Sequence, residues 1–294
     1  LWLDNIDENI FVSDIKKKYK IKNEKNTIQA VIGEFDDPYN QRQGIVNLDL
    51  IRGGNVIAYG NAESGKETLL STVIYDLITT YSSSDVWMYI LDFGTESLKI
   101  FNGCPHVGEV ICTNDGERLR RFFSRIREIV KERKQILTEY NGDYNFFLKT
   151  GGKNMPLITV ILNGYETFIE NYEDTFDDVL LTLTREGTKT GVTFIMTTTA
   201  SNDLRYRMSQ NFKQKIALQM NDSSEYGTIF EALGGKKPAH RFGRGLINLG
   251  EEVYDFQTAK SCKPEEYNVF IKEEIEKAKQ ENKTIAEKIP ILPD

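Results

Sequence analysis

The sequence predicts an α/β fold: a mostly parallel sheet with helices on both faces. Three observations carry that prediction. Val56–Tyr59, Val86–Leu91, Leu157–Leu162 and Val192–Thr197 are short, continuous apolar runs of the kind that form strands buried on both faces. Segments with helical spacing separate these runs, and alternation of strand and helix favours parallel pairing. Between the first run and the helical stretch after it lies Gly60–Thr68, a phosphate-loop pattern, which requires a strand–loop–helix setting.

The elements follow in order. Leu1 to about Lys25 is mixed and lysine-rich and reads as a lead-in. Strand-like runs at Thr27–Phe35 and Gly44–Leu50 flank the turn-rich Asp36-Asp37-Pro38-Tyr39-Asn40. The strand Val56–Tyr59 enters the loop at Gly60, and a helix leaves it to about Thr80. Val86–Leu91 is a strand ending in Asp92. Gly116–Tyr140 is a long amphipathic helix, with Leu119, Phe122, Phe123, Ile126, Ile129, Val130 and Leu137 at helical spacing. Its other side carries Arg118, Arg120, Arg121, Arg125, Arg127, Lys131, Arg133 and Lys134, interleaved with Glu117, Glu128 and Glu132, and reads as a solvated face. Leu157–Leu162 is a strand, Phe176–Arg185 is helical, and Val192–Thr197 is a strand. Lys215–Met220, Gly245–Leu249 and Val253–Ala259 complete the sheet. A charged helix from Glu265 to about Lys283 leads to Ile289-Pro290-Ile291-Leu292-Pro293, an extended linker. The expected division is a lead-in over 1–26, the phosphate-loop domain over 27–263 and a C-terminal helix with linker over 264–294.

Bulk properties narrow the function. The 294 residues, 39% apolar and 28% charged, suit one large α/β domain with extensions, or at most two small ones, with a soluble surface. A net charge of −7 argues against a nucleic-acid backbone as the main partner, since affinity there comes from neutralised phosphates. No apolar run approaches the roughly 18 residues of a membrane span. The first residue is Leu rather than Met, so a fragment of a longer protein is expected. Cys104, Cys112 and Cys262 have no metal spacing, and with only His106 and His240 beside them a zinc site is not expected.

The chemistry concentrates in Gly60-Asn61-Ala62-Glu63-Ser64-Gly65-Lys66-Glu67-Thr68. Glycines let backbone N–H groups close on phosphates, a lysine neutralises them, and the hydroxyl after the lysine binds Mg²⁺. Here Glu67 replaces that hydroxyl and is expected to set a negative charge beside the phosphates, while Thr68 offers a hydroxyl one position late. The second half of such a site is an acid at the tip of a buried strand, often followed by a glutamate that activates water. At the tip of Ile158–Leu162 the chain has Asn163-Gly164, which supply neither. Glu166 is the nearest substitute, although its offset of two positions weakens it as a base. ATP and Mg²⁺ are therefore expected to bind weakly or not at all, and neither a metal ligand nor a catalytic residue is assigned.

The segments Gly60–Thr68, Ile90-Leu91-Asp92-Phe93-Gly94, Pro105-His106-Val107-Gly108, Met155–Asn163, Thr184-Arg185-Glu186-Gly187 and Gly243-Arg244-Gly245 resemble the FtsK/SpoIIIE class of RecA-like motor ATPases. Within that class the chain is similar to the tandem ATPase modules of type VII secretion coupling proteins, and the resemblance covers nearly its whole length. It implies a RecA-like P-loop fold and a cytoplasmic module of a membrane-anchored protein. It also implies neighbouring ATPase modules, other secretion components and exported proteins as partners, with assembly into a hexamer in the full-length protein. Later modules often have degenerate nucleotide sites, which fits Glu67, Asn163 and Gly164 and favours a middle module ahead of the last. Arg185 stands where the family's trans-acting arginine would be sought, with Thr188 in place of a second one. Thr197-Thr198-Thr199-Ala200 lacks the Gln and Arg that sense the γ-phosphate in DNA pumps. The expected function is a regulatory or scaffolding module. The alternatives are a competent ATPase that powers export after hexamer assembly and, less favoured, a DNA translocase.

Overall fold

The computed structural model describes residues 3–290. Two turns of helix, α1 (Val12–Lys18), precede the hairpin β1 (Gln29–Asp37) and β2 (Arg42–Asp49). Then come β3 (Asn55–Tyr59), α2 (Lys66–Thr80), β4 (Val86–Asp92), β5 (Val107–Cys112), α3 (Gly116–Leu137) and the short α4 (Tyr144–Lys149). The central strand β6 (Leu157–Asn163) leads into α5 (Tyr165–Glu186), and β7 (Val192–Thr198) into α6 (Tyr206–Ser209). The chain continues through β8 (Phe212–Ala217), α7 (Glu225–Ile229), β9 (Arg244–Leu249), β10 (Glu252–Thr258) and α8 (Tyr267–Glu281).

One ten-stranded sheet runs in the order β2-β1-β10-β9-β8-β3-β7-β6-β4-β5. The six strands from β8 to β5 pair in parallel, and β9, β10, β1 and β2 extend the sheet antiparallel. Alternation along the strands divides the core. Val56 and Ala58 of β3 face one side with Leu69, Leu70, Val73, Ile74 and Leu77 of α2 and Ile271 and Ile275 of α8. Ile57 and Tyr59 face the other, with Leu119, Phe122, Phe123 and Ile126 of α3 and Phe168, Phe176 and Leu180 of α5. Each fully buried Leu or Ile contributes about 1.5–3 kcal/mol of transfer free energy, so α2 is held by its packing rather than by its β-branched composition.

Several sequence expectations change. The segment 1–26 contains α1, whose Val12 and Ile15 are buried, and Phe11 pairs with Lys260. Asp76 of α2 accepts from Val31 N at 2.7 Å and pairs with Lys16, so α1, β1 and α2 meet at one buried carboxylate. The helix expected at Phe176–Arg185 begins eleven residues earlier, at Tyr165. Its first half is aligned by an aromatic stripe, Tyr165, Phe168, Tyr172 and Phe176, packed on Phe93 and Phe123. Strand β5 was not expected; the strand expected at Lys215–Met220 ends at Ala217 as β8. Arg133, placed on the solvated side, is buried and donates to the carbonyls of Thr190, Gly191 and Pro156. Of the other seven cations of α3, five are paired with carboxylates, among them Arg118 with Glu109 and Arg125 with Glu287. The last stretch docks as well, since Ala286 N donates to Pro105 O at 2.7 Å and Tyr89 OH to Glu287 O at 2.6 Å. Of the linker Ile289–Pro293, residues 291–293 lie outside the described residues.

Candidate functional site

Parallel strands β3, β7, β6 and β4 all end at one edge, so Gly60, Thr198, Asn163 and Asp92 converge there. The loop after β3 turns into α2 through Gly65, whose φ of 104° is left-handed. Among the described residues, the N–H groups of Ala62, Glu63, Gly65, Lys66, Glu67 and Thr68 find no backbone or side-chain acceptor in the protein. They form a nest of donors at the N-terminus of α2, the arrangement that receives phosphate oxygens. A cleft of about 340 Å³ opens over it, lined by the loop, Gly94, Thr95, Asn163, Gly164, Glu166, Thr197, Thr199 and Phe242. A second cavity of about 330 Å³ shares Glu67, Thr68 and Phe242 with the first and extends to Lys260 and Tyr267. Gly243 N donates to Ser64 O at 2.9 Å, so the start of the Gly243-Arg244-Gly245 run braces the loop.

Lys66 curls back: its Nζ donates to Gly60 O at 2.6 Å and to Thr199 Oγ1 at 3.4 Å. Burial holds its ammonium below the ordinary value, and Glu166, Asp203 and Glu67 act in the opposite sense. Of the Thr197–Ala200 run, then, Thr199 meets the lysine, and Asp203 fixes Thr198 Oγ1 and the amides of Thr199 and Ala200.

Glu67 is not aimed at the phosphate nest. Its Oε1 accepts from Thr95 N at 3.0 Å and Asn163 Nδ2 at 3.2 Å; its Oε2 accepts from Thr95 Oγ1 at 2.6 Å and Ser97 Oγ at 3.1 Å. Burial raises its pKa, but the hydrogen bonds from Thr95, Asn163 and Ser97 outweigh burial and hold it below the usual value. The expected repulsion between an unsatisfied carboxylate and the phosphates is therefore replaced by a link from α2 to the loop after β4.

Asn163 is buried and fully engaged. Its Nδ2 donates to Asp92 Oδ1 at 2.9 Å and to Glu67, and its Oδ1 accepts from Thr197 Oγ1 at 2.8 Å. The reverse amide orientation would set a carbonyl against two carboxylates, so the network itself fixes the assignment. Gly164 has φ 85°, and a Cβ there would lie 3.2 Å from Phe93 C, so the following position admits a side chain only under strain. Asp92, the strand end of the sequence pattern, has a larger part in the site. It is fully buried and accepts from Gly94 N, Leu98 N and Asn163, and the Ile90–Gly94 run was its only sequence signal.

Glu166 lies in the first turn of α5 and lines the cleft; its Oε2 is shielded from solvent and has no protein partner. Arg185 sits at the far end of the same helix, its side chain 54% exposed and 3.6 Å from Glu186. Among the described residues, no group of three or more His, Cys, Asp or Glu side chains could hold a metal. No helix there is long and apolar enough to cross a membrane.

The type VII secretion system protein EssC of Staphylococcus aureus (strain MRSA252) is 26% identical over all of this chain, which covers 20% of that protein. The ESX secretion system protein EccC of Thermomonospora curvata is 28% identical over 80% of the chain and 18% of its own length. The chain thus spans about a fifth of the length of the curated relatives it matches. Among solved structures, ATPases 2 and 3 of EssC from Geobacillus thermodenitrificans superpose with a TM-score of 0.85 at 23% identity, over 99% of this chain and 55% of that one. ATPases 2 and 3 of Thermomonospora curvata EccC, in complex with a signal sequence peptide, give 0.80 at 26% identity, over 92% and 50%. The chain is homologous to the ATPase domains of these secretion proteins. The FtsK/SpoIIIE pattern matches residues 18–252, and the chain belongs to the FtsK/SpoIIIE family.

Proposed function

We propose that this chain is a regulatory or scaffolding ATPase module of a type VII secretion motor, one that holds nucleotide weakly or not at all and does not hydrolyse it efficiently. In this reading it is a middle or last module of a membrane-anchored protein, on the cytoplasmic side. Its partners are the neighbouring modules, other secretion components and exported proteins. The observation that carries the reading is the tip of β6. Asn163 supplies an amide already shared between two carboxylates, and the left-handed backbone at Gly164 suits glycine rather than a glutamate base. Hydrolysis by this fold needs both a metal ligand and a water-activating group, which act as a unit. Steady-state ATPase assays on the purified chain across a concentration series test this. The expected turnover is far below about 1 per second, the low end of ordinary enzyme rates. Faster turnover abolished by Lys66→Ala would overturn the proposal.

Glu166 favours the second reading, a competent ATPase that works after hexamer assembly, with Arg185 reaching a neighbouring subunit. Glu166 lines the cleft, and its solvent-shielded Oε2 has no hydrogen-bond partner in the protein. That reading requires Mg²⁺-dependent turnover that rises steeply with protein concentration and disappears in Glu166→Gln while binding persists.

A further inference from the structure

In a phosphate loop that works with Mg²⁺, the hydroxyl after the lysine and the acid at the tip of a second strand both serve the metal. Here the corresponding positions, Glu67 and Asn163, are hydrogen-bonded to each other at 3.2 Å. The exchange is reciprocal, since the carboxylate has moved from the strand tip to the helix and a neutral donor has taken its place. The other contacts of the pair are also internal: Thr95 and Ser97 saturate Glu67, and Asp92 and Thr197 saturate Asn163. Gly94 closes over the pair from above, and a Cβ there would lie 2.5 Å from Asn163 Nδ2 and 2.8 Å from Glu67 Oε1. For Mg²⁺ to be ligated here, at least two of these hydrogen bonds must break, and Asn163 Nδ2, a donor, must turn away from the metal. The donor set does not fit the metal. The phosphate nest beside it depends on backbone N–H groups and Lys66, and none of the pair's hydrogen bonds uses those N–H groups.

We propose that the cleft takes a nucleoside phosphate free of divalent metal, with the Glu67–Asn163 pair standing as a latch in the place of the metal site. This rests on the non-hydrolysing reading above and adds to it the form in which ligand enters. Metal-free phosphates carry more negative charge than their Mg²⁺ chelates, and here they meet Lys66 and six free N–H groups. The latch also joins ligand occupancy to the loop after β4. Glu67 N is one of those six donors, while the Glu67 carboxylate is bonded to Thr95 and Ser97.

The test is calorimetric titration of the whole chain with ATP, in EDTA and again in excess Mg²⁺. It is repeated on Lys66→Ala and on the double variant Glu67→Thr/Asn163→Asp. The parent chain is expected to bind ATP at least as tightly in EDTA as in Mg²⁺, and Lys66→Ala to lose that binding. In the double variant the preference should reverse, with Mg²⁺ improving affinity by about tenfold or more, a difference of about 1.4 kcal/mol. The parent comparison needs no variant to fold, and it decides the matter alone. Parent affinity about tenfold or more tighter with Mg²⁺ would overturn the inference. Turnover in the same samples then separates the two claims, because Mg²⁺-dependent binding without turnover leaves the non-hydrolysing reading standing, and turnover sinks both. Absence of heat in both media would likewise overturn the metal-free site while leaving a scaffold. A folded double variant with no Mg²⁺ preference would overturn the assignment of the metal position to this pair.

Discussion

The two walls of the cleft have diverged by different amounts. On one wall the loop from Gly60 to Lys66 retains its glycines, its lysine and a full set of unpaired N–H groups. On the other the tip of β6 has an amide and a glycine where an acid and a base would work. In phosphate loops, phosphate is held by backbone geometry, which many side-chain changes leave intact, whereas metal and water chemistry depends on a few side chains at fixed positions. The second wall has also not simply been emptied. Asn163 and Gly164 are built into new contacts, so reverting either residue should disturb the fold before it restores any chemistry.

The largest effect is expected at Gly164. Gly164→Glu forces a non-glycine side chain into φ 85° with its Cβ 3.2 Å from Phe93 C. Strain of this type amounts to about 1–3 kcal/mol, and steric displacement of Phe93 adds to it. Urea unfolding should show a lower midpoint with an unchanged slope. A midpoint equal to that of the parent chain would mean the turn relaxes freely and that Gly164 is dispensable.

Asn163→Asp should follow closely. It replaces the donor between Glu67 and Asp92 with a third carboxylate, leaving both acceptors short of a partner in a buried setting. A loss of about 2–3 kcal/mol at neutral pH is expected, the range for an unsatisfied buried group hydrogen-bonded to charge. Glu67→Thr in the same chain removes one of the three acids and should recover a substantial part of that loss. The coupling, read from a double-mutant cycle of unfolding free energies, should exceed about 0.5 kcal/mol. Additive effects would show that the two residues do not sense each other.

How far these features could be read in the sequence depended on the separation of the interacting groups. The strand–loop–helix frame, the phosphate loop and the altered tip of β6 are local patterns, and each was legible. The direction of Glu67 was not, because its partners are 28, 30 and 96 residues away and Thr95 and Ser97 carry no distinguishing pattern. Asp92 was hidden for the same reason, as was Arg133, whose burial depends on the carbonyls of three residues beyond α4. The first half of α5 carried a signal that went unused. Tyr165, Phe168, Tyr172 and Phe176 recur at helical spacing, but Glu166, Thr167, Glu170 and Asn171 between them masked the stripe.

A smaller effect belongs to pH. The folded state holds the Glu67 pKa below the ordinary 4.5, because hydrogen bonds outweigh burial. A carboxyl of lowered pKa gives stability that is present in full above its unfolded value and disappears as pH falls through the folded one. Unfolding midpoints measured from pH 7 down to pH 3 should therefore decline for the parent chain below about 4.5, the region where unfolded glutamates take up protons, and decline less steeply for Glu67→Gln. Parallel declines would assign the acid sensitivity to other groups. His106 is a separate contributor at higher pH. Burial lowers its pKa from 6.5, so the stability it gives as a neutral ring is lost as pH falls through and below that value.

The smallest effect on this chain alone should come from Arg185, which distinguishes the near end of α5 from the far end. Glu166 at the near end lines the cleft, so any exchange there alters its wall directly. Arg185 at the far end is more than half exposed, and among the described residues its one ion pair is with the adjacent Glu186, at 3.6 Å. Pairs of this kind are worth about 0–1 kcal/mol, and Arg185→Ala should leave unfolding within about 0.5 kcal/mol of the parent chain. ATP affinity of the isolated chain should be unchanged too, since Arg185 is not among the residues lining the cleft. If the residue acts at all, it acts across an interface, and the comparison sharpens when the variant is placed in a longer protein that contains the neighbouring modules. A turnover defect there, with stability and isolated affinity unaltered, would make Arg185 a group supplied to a neighbour's site. Unaltered turnover would leave it a surface cation at the end of α5 away from the cleft.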